Sequence, residues 1–377
     1  MFQIWRMESD SSTDPAIRPA GRGAVSNRTG RFEALDRRFE ADGWDRPEEE
    51  QVLRTHVSVE IPRSLITYNR SPDLPFDRSI NPYRGCEHGC IYCFARPTHA
   101  YLGLSPGLDF ETRLIARPGA AKVLERELRR RRYRVRPIAI GTNTDPYQPI
   151  EKEHEIMRSC LKVLRNFNHP VAIVTKGALI ERDLDILADM AGRGLVRVGV
   201  SVTTLDARLS RRLEPRVPAP KRRLATIAAL TGAGVPVRIM TSPVIPGLTD
   251  PELESILEAG AEAGAEAASW IMLRLPLEVS PLFQEWLAQH YPDRASRVMG
   301  LIREMHGGKD YDAEWGRRMR GEGAYAKMIA QRFDRAARHL GLDRAQPGLR
   351  CDLFEVPPGE SSQLSLFPKG FHAADHG

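Results

Sequence analysis

The chain has 377 residues, 41% of them hydrophobic and 28% charged, and a net charge of +6. That length allows one large core or two small ones, and no apolar run approaches the ~20 residues of a membrane span. The opening MFQIWRMESDSSTDP lacks the apolar core of a secretory signal, and three of the five cysteines are clustered, which argues against a disulfide framework and for a reducing cytoplasm.

In chain order, residues 1–54 are rich in Arg, Asp, Glu, Gly and Ser with few apolar clusters, the composition of a mostly disordered segment. A first strand is expected near 79–83. Five more β-type runs follow: VRPIAIGT (135–142), HPVAIVTKG (169–177), LVRVGVSVTT (195–204), VPVRIMTSP (235–243) and SWIMLRLP (269–276). Amphipathic stretches at 155–166, 182–192, 220–234 and 251–264 separate them as helices. Six β-α units in succession call for a parallel α/β sheet with helices outside it. Six fall short of the eight of a closed barrel, so a partial (β/α)6 barrel is expected over 55–276, with a flat doubly wound sheet as the alternative. Residues 277–345 read as a C-terminal helical extension, and 346–377 as a flexible tail.

In such folds the chemistry sits at the carboxyl ends of the strands. There lies RGCEHGCIYCFARPTHAY, with Cys86, Cys90 and Cys93 spaced Cys-x3-Cys-x2-Cys. Three thiolates on a tight loop can hold three irons of a cubane cluster and leave the fourth iron open to a small molecule. Gly85 and Gly89 let the loop fold back without Cβ clashes. The competing reading is a structural zinc site with His88 or His99 as fourth ligand.

The string SINPYRGCEHGCIYCFARPTHAYLGLSPGLDFETRL resembles the radical S-adenosylmethionine enzymes, and in particular the relatives of spore photoproduct lyase, which reverses a thymine dimer in DNA. The likeness continues through GTNTDPYQPIE, VTKG, SVTTLD, LEPR, IPGLTD and LRLP, across about residues 55–340. The resemblance implies a [4Fe-4S] cluster on Cys86, Cys90 and Cys93, with S-adenosylmethionine chelating its fourth iron. It also implies an electron donor of flavodoxin or ferredoxin type, and a 5′-deoxyadenosyl radical that takes hydrogen from the substrate.

Tyr92 would then pack by the adenine. Thr144 and Asp145, at the end of the second strand with Thr142 and Asn143, would meet the methionine amino group, or Asp145 would simply start a turn. Lys176 would pair with the methionine carboxylate, while Ser201 and Thr203 would reach the ribose or methionine. Ile245 would cover the ring and Gly247 would permit close backbone approach. Arg274, ending the sixth strand, faces the cavity or pairs with an acid. One departure stands out: spore photoproduct lyases keep a cysteine near the end of the second strand to return hydrogen, and IAIGTNTDP has none. Cys160, Cys351, a tyrosine or an external thiol would have to serve.

Two arginine-rich stretches, ELRRRRYRVR (127–136) and RRLEPRVPAPKRR (211–223), point to nucleic acid or to solvated helix faces. DNA is the expected substrate, with RNA, a protein or a small metabolite as the alternative, and a non-catalytic zinc-stabilised nucleic-acid-binding protein as the rival from another class. The tail carries QLSLF, which resembles the pentapeptide that holds the bacterial sliding clamp. Gln363 would bond at the pocket rim, while Leu364, Leu366 and Phe367 would fill an apolar cleft.

Overall fold

The structure, a computed structural model, describes residues 21–33 and 53–358. Ten strands are found: β1 (His56–Val59), β2 (Thr67–Tyr68), β3 (Arg78–Ile80), β4 (Tyr83–Arg84), β5 (Arg113–Ala116), β6 (Ile138–Ile140), β7 (Val171–Thr175), β8 (Val196–Ser201), β9 (Val237–Val244) and β10 (Ala267–Met272). The main sheet runs β10-β9-β8-β7-β6-β3-β2. Its six strands from β3 to β10 are parallel, and β2 pairs antiparallel with β3. Strand order follows chain order without a reversal, so the sheet has no switch point of the doubly wound kind. It is the partial (β/α)6 barrel, open between β10 and β2.

Pattern explains the curl. In β7, Val171, Ile173 and Thr175 are buried while Ala172 and Val174 are partly exposed. The first set faces the helices Ile156–Asn166 and Leu184–Gly192, and the second lines the concave side. A Cβ on Gly199 would lie 2.6 Å from the Met240 sulfur, so only glycine lets Met240 cross β8.

The final helices, Val279–His290, Pro292–Met305 and Gly323–His339, form the expected extension. The first two enclose a second core in which Phe283, Trp286 and Val298 pack with Ile91, Tyr92, Ile245 and Leu273. The connection before the last helix lies along β10, where the Met272 amide donates to the Met319 carbonyl at 2.9 Å. From it, Arg318 reaches Asp73 in the β2–β3 turn with two bonds of 2.6 and 2.7 Å. This bidentate pair joins the two edges that the sheet leaves apart.

Three differences from the sequence reading matter. The single strand expected at 79–83 is two short ones, and β4 pairs with β5 in a small sheet of order β1-β5-β4. The expectation of disorder over 1–54 does not extend to 21–33, where Arg22, Gly23 and Ala24 are buried against the cysteine loop. The expected flexible tail is docked as far as Pro357. Phe354 packs on Tyr133, Phe167 and His169, and Arg129 donates to the Pro357 carbonyl at 2.7 Å. The QLSLF segment lies outside the described residues.

Candidate functional site

The three cysteines follow β3 and β4, at the carboxyl end of the sheet. Gly85 and Gly89 adopt φ of 74° and 68°. A Cβ would meet Leu114 Cδ2 at 2.7 Å from Gly85, and Glu111 Oε2 at 2.6 Å from Gly89, so both turns require glycine. Arg96 and Glu111, both fully buried, hold the loop from behind as an ion pair. Arg96 also donates to the carbonyls of Cys90 (3.0 Å), Gly89 (3.3 Å), Pro106 (3.0 Å) and Gly107 (2.9 Å). Glu111 accepts from the amides of Gly23 (2.9 Å) and Ala24 (2.8 Å). Gly23 and Ala24 are thus strapped onto the loop. Neither Arg96 nor Glu111 stood out in the sequence, because a buried pair fifteen residues apart follows no helix or strand period.

From the other side, the β6 end braces the same loop. Thr144 donates its hydroxyl to the Gly85 carbonyl at 2.6 Å, and Gln148 accepts from the Glu87 amide at 2.8 Å. Asp145 accepts from the Thr175 hydroxyl (2.6 Å) and from the amides of Lys176 (2.8 Å) and Tyr147 (2.9 Å), and lies 3.3 Å from His88 Nδ1. Burial works against its charge, but His88 and these donors hold the carboxyl down at about 2. Asp145 therefore ties the β6 and β7 ends together.

Tyr92, Ser201, Thr203 and Lys176 are brought together around a residue that was not singled out, Glu214 of LEPR. Glu214 accepts from the Tyr92 and Thr203 hydroxyls and pairs with Arg223 at 2.7 Å, with neither charged side chain exposed. Arg223 also donates to the Ser201 carbonyl at 2.9 Å. Burial opposes ionisation of Glu214, yet Arg223 and Lys176 keep its pKa below the ordinary value. The Lys176 ammonium lies 5.7 Å from the centre of the Tyr92 ring. Burial disfavours its charge, and the Cys90 sulfur, Glu214 and Asp145 outweigh that and raise its pKa. Ile245 is fully buried in the second core, and Gly247, at φ 70°, faces Val298 and Leu301.

The two arginine-rich stretches differ in place. Residues 127–136 precede β6 and lie at the amino ends of the strands, where Arg78 donates to the Arg134 carbonyl. They are on the far side of the sheet from the cysteines. The second stretch touches the site, since the Ile91 amide donates to the Leu213 carbonyl (3.0 Å) and the Arg216 amide to the His88 carbonyl (3.3 Å). Within it, however, Arg223 is buried and Arg216 and Arg222 pair with Glu87 and Glu181. Cys160 is fully buried in its helix. Cys351 follows Arg350, whose amide donates to the Gly194 carbonyl ahead of β8, so it too lies at the amino end. Neither thiol is at the site.

A sequence model of the Radical SAM superfamily matches residues 80–260. The chain is 42% identical over 232 residues to uncharacterized proteins of Mycobacterium bovis and Mycobacterium tuberculosis, which spans 61% of this chain and 68% of theirs. The chain belongs to the radical SAM superfamily. It also shares the fold of solved spore photoproduct lyase structures. A cysteine-to-serine mutant of that enzyme matches with a TM-score of 0.53 at 17% identity, over 75% of this chain and 79% of that one. The complex with dinucleoside spore photoproduct matches with 0.53 at 16%, over the same shares. Membership implies the superfamily's two cofactors, a [4Fe-4S] cluster and S-adenosylmethionine.

The residues present fit both. Burial raises the Cys86 and Cys90 pKa values, and iron would displace those protons. Both histidines of the zinc reading are committed elsewhere: His99 Nε2 bonds the Arg113 carbonyl at 2.9 Å and His88 faces Asp145. Lys176 supplies a cation for a carboxylate beside Cys90.

Proposed function

We propose that Cys86, Cys90 and Cys93 ligate the cluster, that Lys176 and Tyr92 help to hold S-adenosylmethionine, and that the enzyme acts on nucleic acid. The observation that carries the first part is the cysteine loop itself, turned by two obligatory glycines and fastened by Arg96, Glu111 and Thr144 at the carboxyl end of a partial barrel. Held by those three thiolates, a [4Fe-4S] cluster would supply one-electron reducing chemistry toward S-adenosylmethionine.

The chain's own residues set the surroundings. Arg96 fixes the carbonyls around Cys90, and Asp145 fixes the backbone at Lys176. Glu214 holds the Tyr92 phenol inward, and Lys176 offers the methionine carboxylate a charge-assisted hydrogen bond. Nucleic acid as substrate is supported by the fold shared with spore photoproduct lyase. It is supported too by the exposed cations Arg208, Arg211 and Lys221, close in sequence to the segment that bonds the cysteine loop. With Cys160 and Cys351 both away from the site, hydrogen return would fall to a tyrosine or an external thiol.

Anaerobic reconstitution tests the reading. Brown protein with about four irons per chain, releasing 5′-deoxyadenosine on reduction with S-adenosylmethionine, supports it. Colourless protein with one zinc overturns it. Incubation with varied oligonucleotides in deuterated buffer then tests the substrate, through deuterium in the product.

A further inference from the structure

Arg274 follows β10, three strands along the sheet from β7, which Lys176 follows. Its guanidinium carbon lies 4.0 Å from the centre of the Phe94 ring, and Phe94 immediately follows Cys93. That ring is 43% exposed, whereas Tyr92 on the other side of Cys93 is 5% exposed. The two aromatics that flank the third cysteine thus face different surroundings.

Among the described residues, Arg274 has no hydrogen-bond acceptor and no acid within ion-pair distance. This sets it apart from its neighbours at the carboxyl end. Arg96 is met by Glu111, Arg223 by Glu214, and Arg318 takes both oxygens of Asp73. Burial weighs against the Arg274 charge, and so does nearby Arg318, while Tyr311, Asp73 and Cys93 favour it. A half-buried guanidinium keeps its charge and its five donors. With the guanidinium over the ring, those donors have no acceptor among the described residues.

We infer that Arg274, stacked on Phe94 beside Cys93, is a substrate-binding residue that receives a phosphodiester of the nucleic acid, with the exposed part of Phe94 offering a face for the adjoining base. This rests on the nucleic-acid reading above. A planar fork suits two phosphate oxygens better than an ammonium does. An aromatic ring beside a cation is the pairing that single-stranded nucleic acid uses, since every base has a π-face. The methionine carboxylate is a poorer match, because Lys176 already stands beside Cys90 and Tyr92 while Arg274 lies three strands away.

The test uses the full chain, reconstituted anaerobically, with fluorescent single-stranded and duplex oligonucleotides titrated at several salt concentrations. Arg274→Ala is expected to weaken binding about tenfold and to lower the slope of log affinity against log salt by about one contact. Arg274→Lys should restore the slope but only part of the affinity. Phe94→Ala should weaken binding with the slope unchanged. Iron content and S-adenosylmethionine affinity should match the wild type in all three. Wild-type binding with an unaltered Arg274→Ala isotherm overturns the inference alone. Loss of S-adenosylmethionine affinity in Arg274→Ala, with nucleic-acid binding intact, reassigns the residue to the methionine carboxylate and also overturns it. A wild-type protein that binds no oligonucleotide even at low salt overturns the nucleic-acid reading, and the inference with it.

Discussion

The two ends of the sheet are built from different materials. At the carboxyl end, buried charges do the fastening: Arg96 with Glu111, Arg223 with Glu214, and the Asp145 carboxylate with the Thr175 hydroxyl and the Lys176 amide. At the amino end, Tyr133, Phe167, His169 and Phe354 pack ring against ring and are closed over by the segment that reaches Pro357. Burying a charge pair gains little stability over apolar packing, because desolvation offsets the attraction. What such a pair does provide is direction, since each donor fixes one acceptor in place. The carboxyl end holds loops in set positions by hydrogen bonds, and the amino end holds the sheet shut by apolar area.

If that division is right, the largest effects of substitution should be confined to one end. Cys86→Ala, Cys90→Ala or Cys93→Ala should each abolish iron incorporation, because two anchors leave two irons open. Cys160→Ala, in the core of a helix, should keep the full iron content. Iron analysis after anaerobic reconstitution decides it, and a cluster lost in Cys160→Ala would refute the ligand assignment. Next comes the fastening. Arg96→Met leaves Glu111 buried without its ion-pair partner, which should cost about 3–5 kcal/mol, read as a lowered denaturant midpoint. It should also release iron faster than wild type, because the carbonyls of Gly89 and Cys90 lose their donor.

Much of this was legible beforehand, and the remainder was hidden for physical reasons. The six parallel strands announce themselves as β-branched runs such as VAIVT, and the cysteine spacing marks the loop. Long-range polar pairing leaves no such trace. Glu111 sits in DFETRL and Glu214 in LEPR, inside stretches that carry the family resemblance, but nothing local says that either carboxylate is buried. Arg223 was read with its neighbours as part of a basic stretch, whereas its side chain is fully buried beneath Glu214. A run of arginines does not disclose which of them points inward. The small sheet β1-β5-β4 was missed because β4 is two residues long, too short for any period.

Acid offers a finer test, because each end carries one buried neutral histidine. His99 is 1% exposed against Phe110 under the cysteine loop, and His169 is fully buried between Tyr133 and Phe354. Burial lowers each from 6.5 to about 4. Below 6.5 the unfolded chain takes up protons that the folded chain refuses, so stability should fall as pH drops from 6.5 toward 4. The loss is on the order of 3 kcal/mol per histidine at the limit. Asp145, held at about 2 against an ordinary 3.8, contributes nothing to that window, since its stabilisation is lost only below 3.8. Unfolding free energies measured between pH 7 and 4.5 check this. A flat profile would mean that neither ring is held neutral by burial.

The smallest expected effect bears most directly on the division between the ends. Phe354 is partly buried and touches three rings, so Phe354→Ala removes apolar contact without stranding a charge. Large-to-small changes in full cores reach 3–5 kcal/mol, and a half-covered ring should give roughly 2. The Glu355 amide would still donate to the Phe167 carbonyl, so the segment should remain in place. Denaturant unfolding should show the loss, while iron content and S-adenosylmethionine affinity match the wild type. Should Phe354→Ala lower either one, the amino end would be coupled to the site through the strands. The separation between an end that seals and an end that positions would then fail.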